Sequence, residues 1–184
     1  MTCHEFKCGT GTSSRVVTIA GQRYTVGVLV QANYGVRSEL RIAGVPVGRF
    51  MPVGRPEGQE QGSIIIVIAT DAPLLPQQLK RLARRASLGL ARNGSYSGDG
   101  SGDLFLAFST ANAAVSQSES YEVRALANGQ MNPLFLATVQ SVEESVVNAM
   151  VAAETMTGLR GKTAPAIDTG ELKKILKRFD RLQR

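Results

Sequence analysis

The sequence predicts an α/β fold in which sheet layers are covered by helices. Two short apolar runs, residues 62–70 and 104–108, indicate buried strands. Two β-rich runs, residues 15–20 and 24–30, flank a tight turn that begins with Gly21 and indicate a hairpin. Longer segments later in the chain carry apolar side chains on one helical face, as helices that cover a sheet do.

The segment between the hairpin and the first apolar run is expected to be mostly irregular. Residues 40–48 form a further short β-like piece, and residues 51–62 form an exposed, flexible loop with several prolines and glycines. The run that follows, from Ser63 to Thr70, is apolar on both faces of a strand. Such a strand is expected inside a sheet that is covered on both sides.

Three helices are expected in the remainder of the chain. The first begins at Pro76 and is stopped by Asn93 and the glycine after it. Its apolar stripe consists of Leu79, Leu82, Ala83, Ala86 and Leu90. The second has Asn132 as its N-cap, with proline at the next position, and is closed by Gly158. Residues 171–184 form a short basic amphipathic helix.

The composition, 43% hydrophobic and 20% charged, is that of an ordinary globular protein, and residues 1–184 are expected to form one domain. No apolar stretch is long enough to span a bilayer, and no secretory signal is visible, so a cytoplasmic protein without membrane contact is expected. The net charge of +6 can attract nucleic acid. The basic side chains fall on the polar faces of the expected helices, however, so solvated faces explain the charge better and no nucleic-acid partner is expected.

The cysteine and histidine content argues against metal chemistry. Cys3 and Cys8 lack the nearby cysteine or histidine partners that a four-coordinate zinc site needs. His4 is the only histidine, so a histidine-based catalytic triad within the chain is disfavoured as well. We therefore expect reduced thiols, no metal and no organic cofactor.

The dipeptide Gly62-Ser63, at the entrance of the first apolar strand, admits two interpretations. Ser63 either ends a loop, which is the commoner fate of a serine beside a strand, or becomes an N-terminal residue when the chain cuts itself. The second case needs a base for the hydroxyl, and a free α-amine with a pKa of ~7.7–8.0 can be that base without a histidine. Gly62 tolerates the backbone geometry that attack on its own carbonyl requires.

Two further segments also have alternative interpretations. Asn33, at the end of the second hairpin strand, either caps a turn or presents a fixed amide to a developing oxyanion. The Gly/Ser-rich segment 95–103 has the composition of a flexible loop, a phosphate cradle or a calcium loop. It lacks the Gly-Lys-Ser/Thr ending of a P-loop and the distal glutamate of an EF-hand. Because it leads directly into the strand 104–108, Ser101 and Asp103 lie at a strand entrance beside the core.

Five segments occur together in one order: residues 9–15 (GTGTSSR), 31–35 (QANYG), 62–63 with the apolar strand after them, 100–103 (GSGD) and 152–158 (AAETMTG). Together they resemble the DmpA-type L-aminopeptidase/D-esterase and β-peptidyl aminopeptidase family, which are self-processing serine hydrolases with an N-terminal nucleophile. The resemblance covers nearly the whole chain and implies a four-layer α/β/β/α sandwich. Members of that family are about twice this length, so the chain is expected to be an N-terminally truncated, C-terminal half of such a hydrolase.

The resemblance also implies the site residues. Ser63 is expected to be the nucleophile and, through its α-amine, the base once the bond between Gly62 and Ser63 is cut. Asn33 is expected to donate its side-chain amide to the oxyanion. Ser101 and Asp103 are expected to orient the new amine and to relay protons, although some family members have glutamate in place of Asp103. An anion at that position favours the protonated amine.

The implied reaction releases an N-terminal residue from a short peptide, amide or ester through an acyl-enzyme on Ser63. Cleavage would divide the chain into residues 1–62, the end of the α-subunit segment, and residues 63–184, the β-subunit segment. The expected partners are the small substrate, the missing N-terminal segment and further copies in a homo-oligomer. Two alternatives remain open: an acyltransferase of the ornithine acetyltransferase type, whose nucleophile is threonine, and an inactive truncated remnant.

Overall fold

The computed structural model describes residues 1–51, 62–112, 120 and 122–182. Within these residues the chain forms eight strands and four helices. The strands are β1 (Thr2–Cys3), β2 (Phe6–Lys7), β3 (Thr10–Ile19), β4 (Gln22–Asn33), β5 (Ser63–Thr70), β6 (Leu104–Ser109), β7 (Met156–Thr157) and β8 (Thr163–Ala164). The helices are α1 (Pro76–Ala83), α2 (Ala86–Arg92), α3 (Asn132–Val151) and α4 (Thr169–Arg178).

Four of the strands form the central sheet, in the order β3-β4-β5-β6. The first three are antiparallel neighbours, and β6 runs parallel to β5, from which α1 and α2 separate it along the chain. The predicted hairpin is present and longer than expected, and its turn consists of Ala20 and Gly21, one residue earlier than predicted. Both turn residues have positive φ, as the two-residue turn that suits twisted strands requires.

One face of the sheet forms the core. Alternate side chains of β4 and β5, among them Val30, Ile64 and Ile66, point to this face and are fully buried. The long helix α3 packs across β3 and β4 and contributes the buried side chains of Leu134 and Val142 to the core. Helix α2 packs against α3. The structure therefore supplies one sheet layer and one helical layer of the expected sandwich.

The opposite face of the sheet is open and largely apolar within the described residues. Leu104 and Leu106 of β6 are 57% and 53% exposed, and Leu29, Ile65 and Phe108 are exposed beside them. The expectation that β5 is covered on both sides is therefore met on one side only. A strand that lies between two covering layers is apolar on both faces, and the second face of β5 has this character. We call this surface the open face.

Three predicted elements have different bounds in the structure. Residues 40–48, predicted to be β-like, form one isolated bridge between Ile42 and Val45 next to single 3-10 turns, because no neighbouring strand is available to pair with them. The helix predicted from Pro76 to Asn93 is broken into α1 and α2. The long helix α3 ends at Val151, and its cap residue is Met131 rather than Asn132.

The cysteine prediction was wrong. Cys3 and Cys8 form a disulfide whose Cα atoms are 5.4 Å apart, and both residues are buried. Cys3 is the last residue of β1 and Cys8 follows β2, so the pairing of these two strands brings the cysteines together, which spacing along the chain did not reveal. We call residues 1–8 the disulfide hairpin.

Two other expectations concern the ends of segments. The basic amphipathic helix is present as α4, which ends at Arg178 rather than at the last residue, and its buried face carries Leu172, Ile175 and Leu176. An exposed loop was predicted over residues 51–62, and residues 52–61 of it lie outside the described part of the chain.

None of the helices in the described ranges is long and apolar enough to cross a membrane.

The contact between α3 and β3 generates a stability prediction. A Cβ atom on Gly11 would lie 2.0 Å from the backbone oxygen of Ser145 in α3, whereas a Cβ atom on Gly27, on the open face, would meet nothing closer than 4.0 Å. We expect Gly11→Ala to lower the free energy of unfolding by about 2–3 kcal/mol, as overpacking does, and Gly27→Ala to change it by less than about 1 kcal/mol. Urea unfolding measures both, and equal midpoints for the two variants would contradict this packing.

Candidate active site

The first residue of β5 and the last residue of β4 lie side by side. Ser63 pairs with Asn33 in the antiparallel register of the two strands. Neighbouring side chains on one face of such a pair have Cβ atoms about 4.5–5.5 Å apart. Alternation along the strands places both side chains on the open face, in line with Leu29 and Ile65. The predicted nucleophile and the predicted oxyanion donor are therefore brought together.

Gly62 holds the chain close to β4 just before Ser63. A Cβ atom at this position would lie 2.1 Å from the backbone oxygen of Asn33 and 2.9 Å from the Cα atom of Tyr34. Since backbone atoms cannot move aside cheaply, only glycine fits. The peptide bond between Gly62 and Ser63 is thus held against the strand that carries Asn33.

The Gly/Ser-rich loop contacts Ser63 through its backbone. Gly102 donates its N–H to the Ser63 Oγ atom at 2.9 Å. A Cβ atom on Gly102 would lie 3.1 Å from the same Oγ atom, so the loop approaches the hydroxyl closely because this residue has no side chain. Sequence reasoning singled out the residues on either side of Gly102 and missed the amide itself.

Asp103 lies one residue after Gly102 and binds β5 next to Ser63. Its Oδ1 atom accepts the Ile64 N–H at 3.0 Å, and its Oδ2 atom accepts the Ser97 hydroxyl at 2.9 Å. The carboxylate is thus held by two donors, one residue away from the backbone nitrogen of Ser63. Ser97 was not predicted, and only its place in the same Gly/Ser-rich loop could have indicated it.

Ser101 belongs to the same loop but makes a different contact. It is half-buried, and its backbone N–H donates to the Gly98 oxygen at 2.8 Å. Its hydroxyl forms no hydrogen bond to Ser63 or Asn33 in the described part of the chain. The structure therefore places Ser101 near Ser63 through Gly102 and does not show the relay that was predicted for it.

The Asn33 side chain is oriented by the disulfide hairpin. The Thr2 N–H donates to the Asn33 Oδ1 atom at 3.0 Å. This bond identifies the oxygen end of the amide and leaves the Nδ2 end as the donor. Among the described residues no acceptor takes a hydrogen bond from that nitrogen. The amide can therefore donate to a ligand on the open face.

His4 is a structural residue. Its ring is fully buried, packs edge-on against Tyr34 with an angle of 70° between the ring planes, and has its Nδ1 atom 2.9 Å from the Val36 oxygen. Because a carbonyl only accepts, Nδ1 carries the proton. Burial lowers the pKa of His4 to about 4, so the ring is neutral at pH 7. A neutral imidazole enclosed in this way does not reach Ser63, in agreement with the absence of a histidine base from the predicted site.

Other acidic groups are engaged elsewhere. Glu143 pairs with Arg92 and Glu144 pairs with Arg15, so these adjacent carboxylates point to different partners and form no catalytic pair. Among the residues that the structure describes, no group of three or more histidine, cysteine, aspartate or glutamate side chains could hold a metal ion.

The family model of peptidase family S58 matches residues 1–164 of the chain. The chain belongs to this family. Two relatives are named beta-peptidyl aminopeptidase BapA, from Sphingosinicella microcystinivorans and Sphingosinicella xenopeptidilytica. Each is 46% identical to this chain, over 99% and 98% of its length. The chain spans about half the length of these relatives.

Solved structures agree with the family assignment. The L-aminopeptidase D-Ala-esterase/amidase from Ochrobactrum anthropi, described as a variant of the Ntn hydrolase fold, is 49% identical with a TM-score of 0.91. The match covers 100% of this chain and 51% of that one. A beta-aminopeptidase from Burkholderia sp. is 44% identical with a TM-score of 0.83, over 97% of this chain and 51% of that one. The predicted family and fold class are therefore confirmed.

The buried histidine generates a pH prediction. Because the pKa of His4 is about 4 in the folded chain and near its ordinary value of 6.5 in the unfolded chain, the unfolded state binds more protons between these values. Stability is therefore lost as the pH falls, and at pH 5 the loss from this group is about 2 kcal/mol relative to pH 7.

The control for this prediction is His4→Asn, because asparagine tolerates the positive φ of this position. Urea unfolding at pH 7 and at pH 5 gives the free energy of unfolding at each pH. The decrease in this free energy from pH 7 to pH 5 should be about 2 kcal/mol smaller in the variant than in the original chain. The same pH dependence in both proteins would show that His4 titrates normally.

Proposed function

We propose that this chain is the nucleophile-bearing part of a self-processing serine aminopeptidase or amidase. The observation that carries the proposal is the pairing of Ser63 with Asn33 on the open face, with the Gly102 N–H at the Ser63 hydroxyl. Membership of peptidase family S58 and relatives named as aminopeptidases support the reaction class. The proposed substrates are short peptides, amides or esters with a free N-terminal residue.

The first proposed step is cleavage of the chain itself. The Ser63 Oγ atom attacks the carbonyl carbon of Gly62, the peptide nitrogen leaves, and the acyl group is transferred to oxygen. The leaving nitrogen takes the hydroxyl proton and becomes the free α-amine of Ser63. Water then hydrolyses the ester, which gives a carboxylate at Gly62 and restores the Ser63 hydroxyl. The close packing of Gly62 on β4 supports this step, because it holds the scissile bond rigidly beside Asn33. The products are the segments 1–62 and 63–184.

The second proposed step is turnover of substrate. The Ser63 α-amine takes the proton of its own hydroxyl, and the oxygen attacks the substrate carbonyl. The Asn33 amide donates to the oxyanion, an interaction whose loss in comparable sites costs about 2.7–4 kcal/mol of barrier. The Asp103 carboxylate accepts hydrogen bonds from the Ile64 N–H and the Ser97 hydroxyl, and its proposed role is to stabilise the protonated amine of the neighbouring Ser63. Water then hydrolyses the acyl-enzyme, and the proposed reaction needs no cofactor.

The proposal includes a partner for the open face. The site lies at one end of an apolar surface on which Leu104, Leu106 and Phe108 are exposed, and the chain spans about half the length of its relatives. A segment equivalent to the unmatched half of those relatives would cover this surface and complete the walls of the substrate pocket. A homo-oligomer of such units is the further expectation from the family resemblance.

The cleavage step is tested by intact mass spectrometry of the purified chain. We expect two products, residues 1–62 and residues 63–184, whose masses sum to that of the 19.6 kDa chain plus one water. Ser63→Ala should remain uncut because it has no nucleophile, while Ser101→Ala, in the same site region, should still be cut. A chain that stays whole under conditions in which it is folded would contradict self-processing and support the inactive remnant.

The partner is tested by association with the unmatched half of the Ochrobactrum anthropi relative, produced separately. We expect binding that Leu106→Asp weakens at least tenfold, because the substitution places a charge between the exposed apolar side chains of Leu104 and Phe108 on the open face. Leu159→Asp is the matched control, since Leu159 is highly exposed and lies outside that face. Equal binding by both variants, measured by calorimetry, would show that the open face is not the docking surface.

A further inference from the structure

The disulfide hairpin is attached to the end of β4 by several direct contacts. Thr2 binds the side chain of Asn33, and Cys3 forms a bridge with Tyr34. The His4 N–H donates to the Tyr34 oxygen at 2.7 Å, and the His4 ring lies against the Val36 oxygen. These contacts follow one another along both segments, so the hairpin is aligned with the chain that leaves β4.

Contacts further along the hairpin extend this attachment. The guanidinium of Arg37 lies 3.7 Å from the centre of the Phe6 ring, and its Nε atom is 3.3 Å from a Glu5 carboxylate oxygen. The Gly35 backbone lies against the His4 ring so closely that a Cβ atom would be 2.6 Å from it. Displacement of the hairpin would therefore disturb the whole turn after β4.

The hairpin itself is too short to be stable alone. Its strands are two residues each, and its turn places both His4 and Glu5 at positive φ, which is unfavourable for residues other than glycine. The disulfide between Cys3 and Cys8 closes it covalently, and the Cys8 N–H donates to the Met1 oxygen at 3.2 Å. The disulfide therefore fixes the segment that carries the Thr2 N–H.

We propose that the disulfide hairpin is a positioning device for the Asn33 amide, and that the Cys3–Cys8 bond makes this positioning depend on the thiol–disulfide state. The inference rests on the proposed role of Asn33 as an oxyanion donor. With the bond formed, Thr2 holds the oxygen end of the amide and the nitrogen end faces the open side next to Ser63. With the bond broken, the hairpin loosens and the amide rotates away from its productive orientation.

The chemistry of the switch is ordinary thiol–disulfide exchange. A dithiol reductant supplies two electrons, the sulfur–sulfur bond breaks, Cys3 and Cys8 each gain a proton, and the reductant becomes the disulfide. Both cysteines are buried, so exchange proceeds through opening of the hairpin. The catalytic group itself is not oxidised or reduced. Thr2 and the cysteines act only through Asn33.

The test compares the oxidised and reduced full chain by nuclear magnetic resonance, with an increase of about 2 Da in intact mass to verify reduction. We expect the exchange rate of the Thr2 amide proton to rise at least tenfold on reduction, and the Asn33 side-chain amide signals to move. The amide of Ile66, in the centre of the sheet, should exchange as before. The double variant Cys3→Ala/Cys8→Ala should resemble the reduced chain and should not respond to the reductant.

Activity of the chain in complex with its proposed partner segment gives the second readout. If the hairpin positions Asn33, reduction should lower kcat about tenfold while KM changes by less than twofold, because the amide acts on the transition state more than on bound substrate. Reduction should have no further effect in Asn33→Ala, where there is no amide to misplace.

The two readouts separate the inference from the proposed function. Unchanged Thr2 exchange and Asn33 signals on reduction would overturn the positioning role, whether or not the protein is active. Two free thiols in the chain purified without reductant, seen by mass after alkylation, would also overturn it. Shifted signals in a chain whose kcat does not respond would retain the positioning role and would instead contradict Asn33 as the oxyanion donor.

Discussion

The register between β4 and β5 is the constraint on which the site depends. Eight consecutive pairs join the two strands, from Val26 with Thr70 to Asn33 with Ser63. Because side chains alternate across a sheet, a shift of one residue in β5 would move Ser63 to the buried face and bring Ile64 to the open one. The apolar core beneath Ile64 and Ile66 therefore fixes where the Ser63 side chain points. Core packing and site geometry are consequences of the same alternation.

The open face connects the fold to the proposed chemistry. Ser63 and Asn33 meet at one end of it, and the apolar side chains of β5 and β6 extend from there, with Ile65, Leu104 and Leu106 exposed. An exposed apolar surface of this kind is unfavourable in water, and covering it also excludes water from the neighbouring polar groups. A hydrogen bond from Asn33 to an oxyanion is stronger in such an enclosed place than in solvent. The segment that stabilises the sheet would thus also make the site effective.

Much of the fold could be predicted from the sequence because its patterns are local. The apolar run of β5, the β3–β4 hairpin and the stripe of α3 each follow from spacing within one segment. The apolar second face of β5 also indicated a second layer. Residues 40–48 were mistaken for a strand because their short apolar alternation is the same with or without a pairing partner.

The site could be predicted only in part. Ser63, Asn33 and Asp103 were found through motifs that occur together, and the structure brings them into one region. The Gly102 amide was missed because a backbone donor has no sequence signature. The hairpin contact to Asn33 was missed because it joins segments 31 residues apart in the sequence. The Cys3–Cys8 bond was missed because the spacing of the two cysteines does not reveal the short hairpin that brings them together.

The measurement that tests the central claim most directly is identification of the acylated residue. The chain, in complex with the segment that covers its open face, is mixed with an activated amino-acid ester, quenched in acid, digested and mapped by mass spectrometry. The claim predicts one acyl group, on the peptide that begins at Ser63, and none in Ser63→Ala. An acyl group on another residue, or one that persists in Ser63→Ala, would contradict Ser63 as the nucleophile.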